Sequence, residues 1–259
     1  MKRFVSTSLS GAQGTIALNA RVILPPDLSD SERSIWRHFC ETDPLLANPF
    51  YSIFFAEALA ECGVDVRVCV LTREDRPVGF FPFQFANPLA RWFGAAQRVG
   101  GEMSDYCGLV AEPDLRVGER QLAALSGFSS FTFSHLDEWQ RRHGLSGERP
   151  EVGLMAQMAS GGRVYWQEIC NKNKEFASDT RRRLRRLEEA LGPLRFAFKE
   201  HDPHAAINHL IANKRAQYAR TGKADALKEA WKVKFLHRVA DFCEPDFEGV
   251  LSTLYAGDI

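Results

Sequence analysis

A strand, two helices and a strand are laid down twice in this 259-residue chain, and few folds accommodate that repetition. The first copy opens with a run suited to a strand, Thr15 to Leu24. A helix follows from Ser31 to Cys40, where Ser31 can cap the start and Ile35, Trp36 and Phe39 form an apolar stripe. Asp43-Pro44 breaks it. A second helix follows Asn48-Pro49, with Phe50, Phe54, Ala58 and Cys62 at helical spacing and Gly63 as its stop. Val64 to Leu71 and Val78 to Phe85 are rich in β-branched and aromatic residues, and Glu74-Asp75-Arg76-Pro77 between them marks a hairpin. A helix at Leu115 to Leu125, a strand at Ser129 to Ser134, a helix at Asp137 to His143 and a strand at Val152 to Met158 complete one α+β module.

After the Gly161-Gly162 break the order begins again. An inserted arginine-rich helix, capped by Ser178 and ended by Gly192-Pro193, comes first. Leu194 to Lys199 is the strand, and Ala205 to Arg220 and Ala226 to Phe242 are the two helices. The second displays Leu227, Trp231, Phe235, Val239 and Phe242 on one side. Phe247 to Tyr255 is the next strand, and Ala256-Gly257-Asp258 stands where Glu74-Asp75-Arg76 stood, an offset of about 180 residues. The expected division is a first module over 1–162 and the N-terminal part of a second over 163–259. On this reading the second module is incomplete, chemistry that needs its remainder lies outside the chain, and an unpaired terminal strand offers an edge for self-association.

Composition narrows the function classes. Apolar residues make up 45% and charged residues 25%, the balance of a globular protein, and no apolar run approaches the roughly 20 residues of a membrane span. Lysine plus arginine equals aspartate plus glutamate, 33 against 33, so no global field favours a nucleic acid. Six cysteines are scattered without a C-x-x-C pair, which suggests neither a disulfide framework nor a zinc ribbon and makes a reducing cytoplasm the expected compartment. His201, His204 and His209 match no helical ligand pair, so no metal is expected.

The element order is that of the GNAT acyltransferase fold, and its repetition points to tandem modules with mixed, mostly antiparallel sheets flanked by helices. Four stretches carry a closer likeness: Asn48-Pro49-Phe50-Tyr51-Ser52, the glycine-then-acid segment Gly100 to Gly108, the run Ser178 to Gly192, and Lys214-Arg215-Ala216-Gln217-Tyr218 with Gly222. Over roughly residues 30 to 259 the chain resembles the CelD-like acetyltransferases associated with cellulose biosynthesis, relatives in fold of the Fem aminoacyl transferases. The resemblance implies transfer of an acyl group from acetyl-CoA or another acyl-CoA to an amine or hydroxyl, in cellulose, exopolysaccharide or cell-envelope metabolism. The acceptor would be a small molecule or saccharide precursor, with polysaccharide synthase components as partners. A non-catalytic GNAT-like scaffold in such an assembly is the alternative.

Among candidate site residues, Asp105 and Tyr106 follow a glycine pair, where an acid and a phenol could orient a substrate amine or hydroxyl or simply satisfy a turn. Lys214 and Tyr218 continue the helical series Ile207, Ile211, so the lysine either snorkels from the core edge or points into a cleft. Arg181, Arg182, Arg183, Arg185 and Arg186 form either a solvated face opposite Thr180, Leu184, Leu187 and Leu191, or an anion cradle in which Arg181, Arg182 and Arg185 would receive CoA phosphates. Arg91-Trp92-Phe93-Gly94-Ala95-Ala96 fits a CoA phosphate loop in letters, but such a loop must leave a strand and open a helix, and nothing helical is expected before Leu115. No nucleophile elbow or activated cysteine is recognisable, so direct transfer is the expected mechanism.

Overall fold

A computed structural model of the protein describes residues 4–7, 17–149, 152, 153, 156 and 158–257. Two compact units divide the chain: Met1–Glu148 with Leu210–Gly249, and Arg149–His209 with Val250–Ile259. In chain order the first stretch contains strands β1 (Phe4–Thr7) and β2 (Leu18–Ile23), helices α1 (Asp30–Thr42) and α2 (Ile53–Glu61), and strands β3 (Asp65–Arg73) and β4 (Arg76–Phe85). Helix α3 (Pro88–Trp92), strands β5 (Ala95–Gln97) and β6 (Val110–Ala111), helix α4 (Glu119–Ser126) and strand β7 (Ser130–Thr132) follow. Then come α5 (Gly162–Lys172), α6 (Lys174–Leu191), β8 (Leu194–Ala197), α7 (Pro203–Thr221), α8 (Ala230–Ala240), β9 (Cys243–Glu244), β10 (Phe247–Glu248) and β11 (Thr253–Ala256).

In the first unit β1 to β7 form a mixed sheet in the order β1-β2-β3-β4-β5-β7, with β6 also on β4, and β9 and β10 form a separate two-stranded sheet. Neighbours are antiparallel except β5 and β7, which run parallel. The β3–β4 hairpin closes through Glu74 and Asp75, both left-handed at φ 49° and 62°, the two-residue turn whose twist suits the flanking strands. The far edge of β4 is shared. Its N-terminal half pairs with β6 at Gly79↔Ala111 and its C-terminal half with β5 at Gln84↔Gln97, so residues 98–109 leave the sheet between the two.

Alternation along the hairpin sends successive side chains to opposite faces, and a register shift opposite Leu71 and Thr72 leaves Val78 unpaired with β3 and moves it to the face opposite Phe80. On one face Val68, Val70 and Phe80 pack with Trp36, Phe39 and Tyr51; on the other Leu71, Val78, Phe81 and Phe83 pack with Leu109, Leu115, Leu122 and Leu125. Trp36 is fully buried, stacked on Phe80 at 4.9 Å, and its indole N–H donates to the Tyr51 carbonyl at 2.8 Å. Burial of each such side chain contributes about 1.5–3 kcal/mol. Helix α8 covers α2 through Phe235 edge-on to Phe55 at 5.4 Å, an Arg238–Glu61 ion pair and a Lys234 bond to the Glu61 carbonyl.

Several boundaries differ from the sequence reading. Ser29, not Ser31, caps α1, in a reciprocal capping box with Glu32, because Glu32 three residues on can return the bond. Ser52 caps α2, after a 3₁₀ turn at Pro49–Tyr51. Helix α4 starts at Glu119 rather than Leu115, since Leu115 is drawn into the core and Gly118 (φ 66°) turns the chain. Glu138–His143 is a 3₁₀ helix. The strand expected over Val152 to Met158 lies partly outside the described residues, and the described positions within it are not in strand conformation.

The second unit opens with α5, a helix the sequence reading omitted. Asn173 ends α5 and caps α6 through its bond from the Phe176 N–H, so Ser178 lies within a helix rather than at its start. Strand β11 pairs antiparallel with β8 at Leu254↔Phe196, repeating the pairing of β3 with β2. Arg195 stacks over Tyr255 at 4.0 Å and the Tyr255 hydroxyl donates to Glu200 at 2.7 Å. The strand expected as continuous from Phe247 is divided into β10, paired with β9, and β11. The expected buried stripe of α6 is largely exposed: Leu184 and Leu191 face solvent, as do Phe196 and Leu254 of the strand pair and Phe198 just after β8.

Candidate functional site

Residues 98–109 form an irregular segment of the first unit that side-chain bonds hold at both ends. Gly100 and Gly101 enter it in left-handed conformation (φ 79° and 51°), and a 3₁₀ turn at Gly101–Met103 follows. The Gly100 N–H donates to the buried Gln84 side chain at 2.7 Å. Ser104, also buried, donates from Oγ to the Tyr106 carbonyl at 2.6 Å. At the far end the Gln140 side chain grips Leu109 on both sides, accepting from its N–H and donating to its carbonyl, each at 3.0 Å. A Cβ on Gly108 would lie 2.3 Å from the Gln140 amide nitrogen, so only glycine admits the clamp.

Beside this segment lies a cleft of about 660 Å³, lined by the ends of β4 and β5, by Gly101 and Glu102, and by the start of α8. Lys232 forms part of its wall, only 6% exposed, with Nζ 3.0 Å from Glu229 Oε1 and 3.3 Å from Glu102 Oε2. Burial alone would lower the lysine pKa; hydrogen bonds to Glu229 and Glu102 outweigh it and hold the pKa above the ordinary lysine value. Glu229 is held below the usual carboxylate range by the Trp231 indole N–H, which donates at 2.8 Å, and by Lys232. Lys232 therefore remains an ammonium at neutral pH and ties α8 to the 98–109 segment.

The structure separates the sequence-predicted residues. Asp105 is exposed and Tyr106 half-buried, its ring 6.2 Å from Phe50. Lys214 points outward on α7, bonding Gln217 at 3.3 Å, while Ile207 and Ile211 of the same series are buried and Tyr218 is half-buried. Asp105, Tyr106, Lys214 and Tyr218 all belong to the first unit, and among the described residues no hydrogen bond or ring contact joins the two pairs. Arg181, Arg182 and Arg185 belong to the second unit, exposed on α6. Arg182 and Arg183 share Asp179, whose carboxyl the Arg182 bond holds low, and Arg181 contacts the Cys170 sulfur at 3.4 Å.

The Arg91-to-Ala96 stretch ends the short helix α3 at Trp92 and enters β5 through Gly94 (φ 66°), the reverse of the order a phosphate loop requires. Burial pushes the thiols of Cys40, Cys69 and Cys107 up to about 12, which leaves them protonated and poor nucleophiles. Gln84, Gln97, Gln140 and Lys232 escaped sequence reading because an isolated glutamine or a lysine on an amphipathic helix carries no periodic signal. The Gly100-Gly101-Glu102 run was the available pointer.

Residues 174–259 match the family model of the acetyltransferase (GNAT) domain. No curated protein and no solved structure gives a match. Among the described residues no helix is long and apolar enough to cross a membrane. The α+β architecture, with a mixed sheet flanked by helices and a repeated strand pairing, is that of GNAT-like modules, and the domain match supports acyltransferase chemistry in general.

Proposed function

We propose that the protein is a GNAT-type acyltransferase that moves an acyl group from acyl-CoA to an amine or hydroxyl of a cell-envelope or exopolysaccharide precursor. The observation that carries this reading is the acetyltransferase-domain match over residues 174–259. In direct transfer the acceptor lone pair attacks the thioester carbonyl carbon, the C–S bond breaks, the acceptor gives up its proton and the departing thiolate takes one. Asp105 and Tyr106 are the proposed orienting and proton-transferring pair, since the phenol sits half-buried on a segment anchored at both ends. Lys214 and Tyr218 are proposed as acceptor-facing groups, and Arg181, Arg182 and Arg185 as contacts for CoA phosphates. Arg185 has no ion pair among the described residues.

Thermal-shift titration with acetyl-CoA tests the reading, because a ligand bound only by the folded form must raise the melting temperature. A rise that grows with concentration and is reduced in Arg181→Ala/Arg185→Ala is expected; no rise at saturating acetyl-CoA refutes acyl-CoA binding. A second reading, a non-catalytic partner in a polysaccharide synthase assembly, is favoured by the exposed Phe196, Phe198 and Leu254 in the second unit. It is the conclusion that a flat titration supports.

A further inference from the structure

The cleft beside residues 98–109 is walled by groups that the acyl-transfer reading leaves unused. We propose that it binds an uncharged, polyhydroxylated ligand: a saccharide.

Three features of the wall select that chemistry. First, its charges are already paired. Lys232 is held by Glu229 and Glu102, and Arg91 lies 3.1 Å from Asp65. An anion would meet three carboxylates and a cation would meet Lys232 and Arg91, so either must disrupt a pair and be desolvated as it does so. A hydroxyl both donates and accepts, and can use the remaining lone pairs of Glu102 and Glu229 without breaking their bonds.

Second, amide donors converge on the cleft without acceptors. Gln84 is 3% exposed and spends its Oε1 on the Gly100 N–H, and among the described residues its Nε2 has no acceptor. Among the described residues Gln97 Nε2, at the end of β5, likewise has no acceptor. Both nitrogens lie 4.0 Å from the position a Cβ on Gly101 would take, so the absence of a side chain there leaves them facing the same space. A sugar hydroxyl placed in that space can accept from both nitrogens without displacing a bond within the protein.

Third, Trp231 supplies an apolar plate at the rim. Its indole N–H is fixed on Glu229, which sets the ring's orientation, and the ring is half-exposed. Aromatic side chains of this kind combine an apolar face with a polar edge. The cleft volume, about 660 Å³, is that of ligand-sized sites. Binding itself stands on this geometry; only the ligand's place as acyl acceptor rests on the function proposed above.

Saturation-transfer NMR on the full chain, without acyl-CoA, tests the inference with cellobiose and maltose as neutral probes and glucose 6-phosphate as the anionic one. Saturation of the ring protons of at least one neutral sugar is expected, with affinity reduced about tenfold in Trp231→Ala and in Gln97→Leu. Both side chains are half-exposed, and melting curves verify folding; should Trp231→Ala unfold, Trp231→Phe and Gln97→Leu carry the comparison. No transfer to either neutral sugar, transfer unchanged in the variants, or tighter binding of glucose 6-phosphate than of both sugars would overturn the proposal. Because acyl-CoA is omitted, failure here leaves the acetyl-CoA titration standing, and the reverse holds equally.

Discussion

Replacing Gln140 by methionine removes hydrogen bonds while nearly preserving volume, and so isolates the clamp on Leu109. Gln140 and Leu109 are both fully buried, and each arm of the clamp is 3.0 Å long. In Gln140→Met the Leu109 N–H and carbonyl lose their partner in a site closed to water. An orphaned buried polar group costs about 1–3 kcal/mol, so the pair predicts a loss of about 2–6 kcal/mol. At about 1.4 kcal/mol per factor of ten, even the lower bound is a roughly 30-fold change in the folding equilibrium. Urea unfolding followed by tryptophan fluorescence measures the total, and hydrogen exchange on peptides spanning residues 104–112 locates it. Gly108→Ala displaces the same side chain, so the double variant should lose less than the sum of the singles. A loss below about 0.5 kcal/mol in Gln140→Met, with Leu109 exchange unchanged, would show that the clamp contributes no net stability and refute the reasoning.

Two further outcomes follow from the first unit. His143 is buried, with Nδ1 2.7 Å from the Leu115 carbonyl and Nε2 accepting from Arg142 at 3.1 Å; burial lowers its pKa, and Arg142 adds to this against the opposing Leu115 bond. A lowered histidine contributes stability above its unfolded pKa of about 6.5 that is lost as pH falls towards the folded value, so the melting temperature should drop below pH 6.5 more steeply than in His143→Gln; parallel curves would contradict this. At the β3–β4 turn, Glu74→Asn with Asp75→Gly places residues suited to φ > 0 where two ordinary side chains now sit, and should raise unfolding stability by about 1 kcal/mol in the same urea assay.

The hairpin and the two helices before it were legible because each is written in local periodicity and punctuation. Misplaced starts have a physical cause. Ser29 and Ser31 are equally good caps in isolation, and Glu32 decides between them only by returning the bond to Ser29. Leu115 fits a helical stripe and is taken by the core instead, beneath β4. On α6 the period of Leu184, Leu187 and Leu191 is real, but periodicity states which side is apolar, not what covers it. The candidate site was less legible still. Asp105 and Tyr106 are singled out by the glycines that precede them, whereas the cleft is assembled from Gln84, Gln97 and Lys232, which lie far apart in sequence and meet only after the sheet and α8 are in place.

The shared edge of β4 carries a consequence for how such a chain changes. Because β5 and β6 hold the same strand at different offsets, the intervening excursion is a matter of register rather than of an added domain. Trimming it until one uninterrupted neighbour ran along β4 would yield a more regular sheet and erase the floor from which Gly101 and Glu102 line the hollow. The hollow is thus set by where two ladders meet one strand, and a deletion that evened out that edge would remove its floor along with the buried Val99, Cys107 and Leu109.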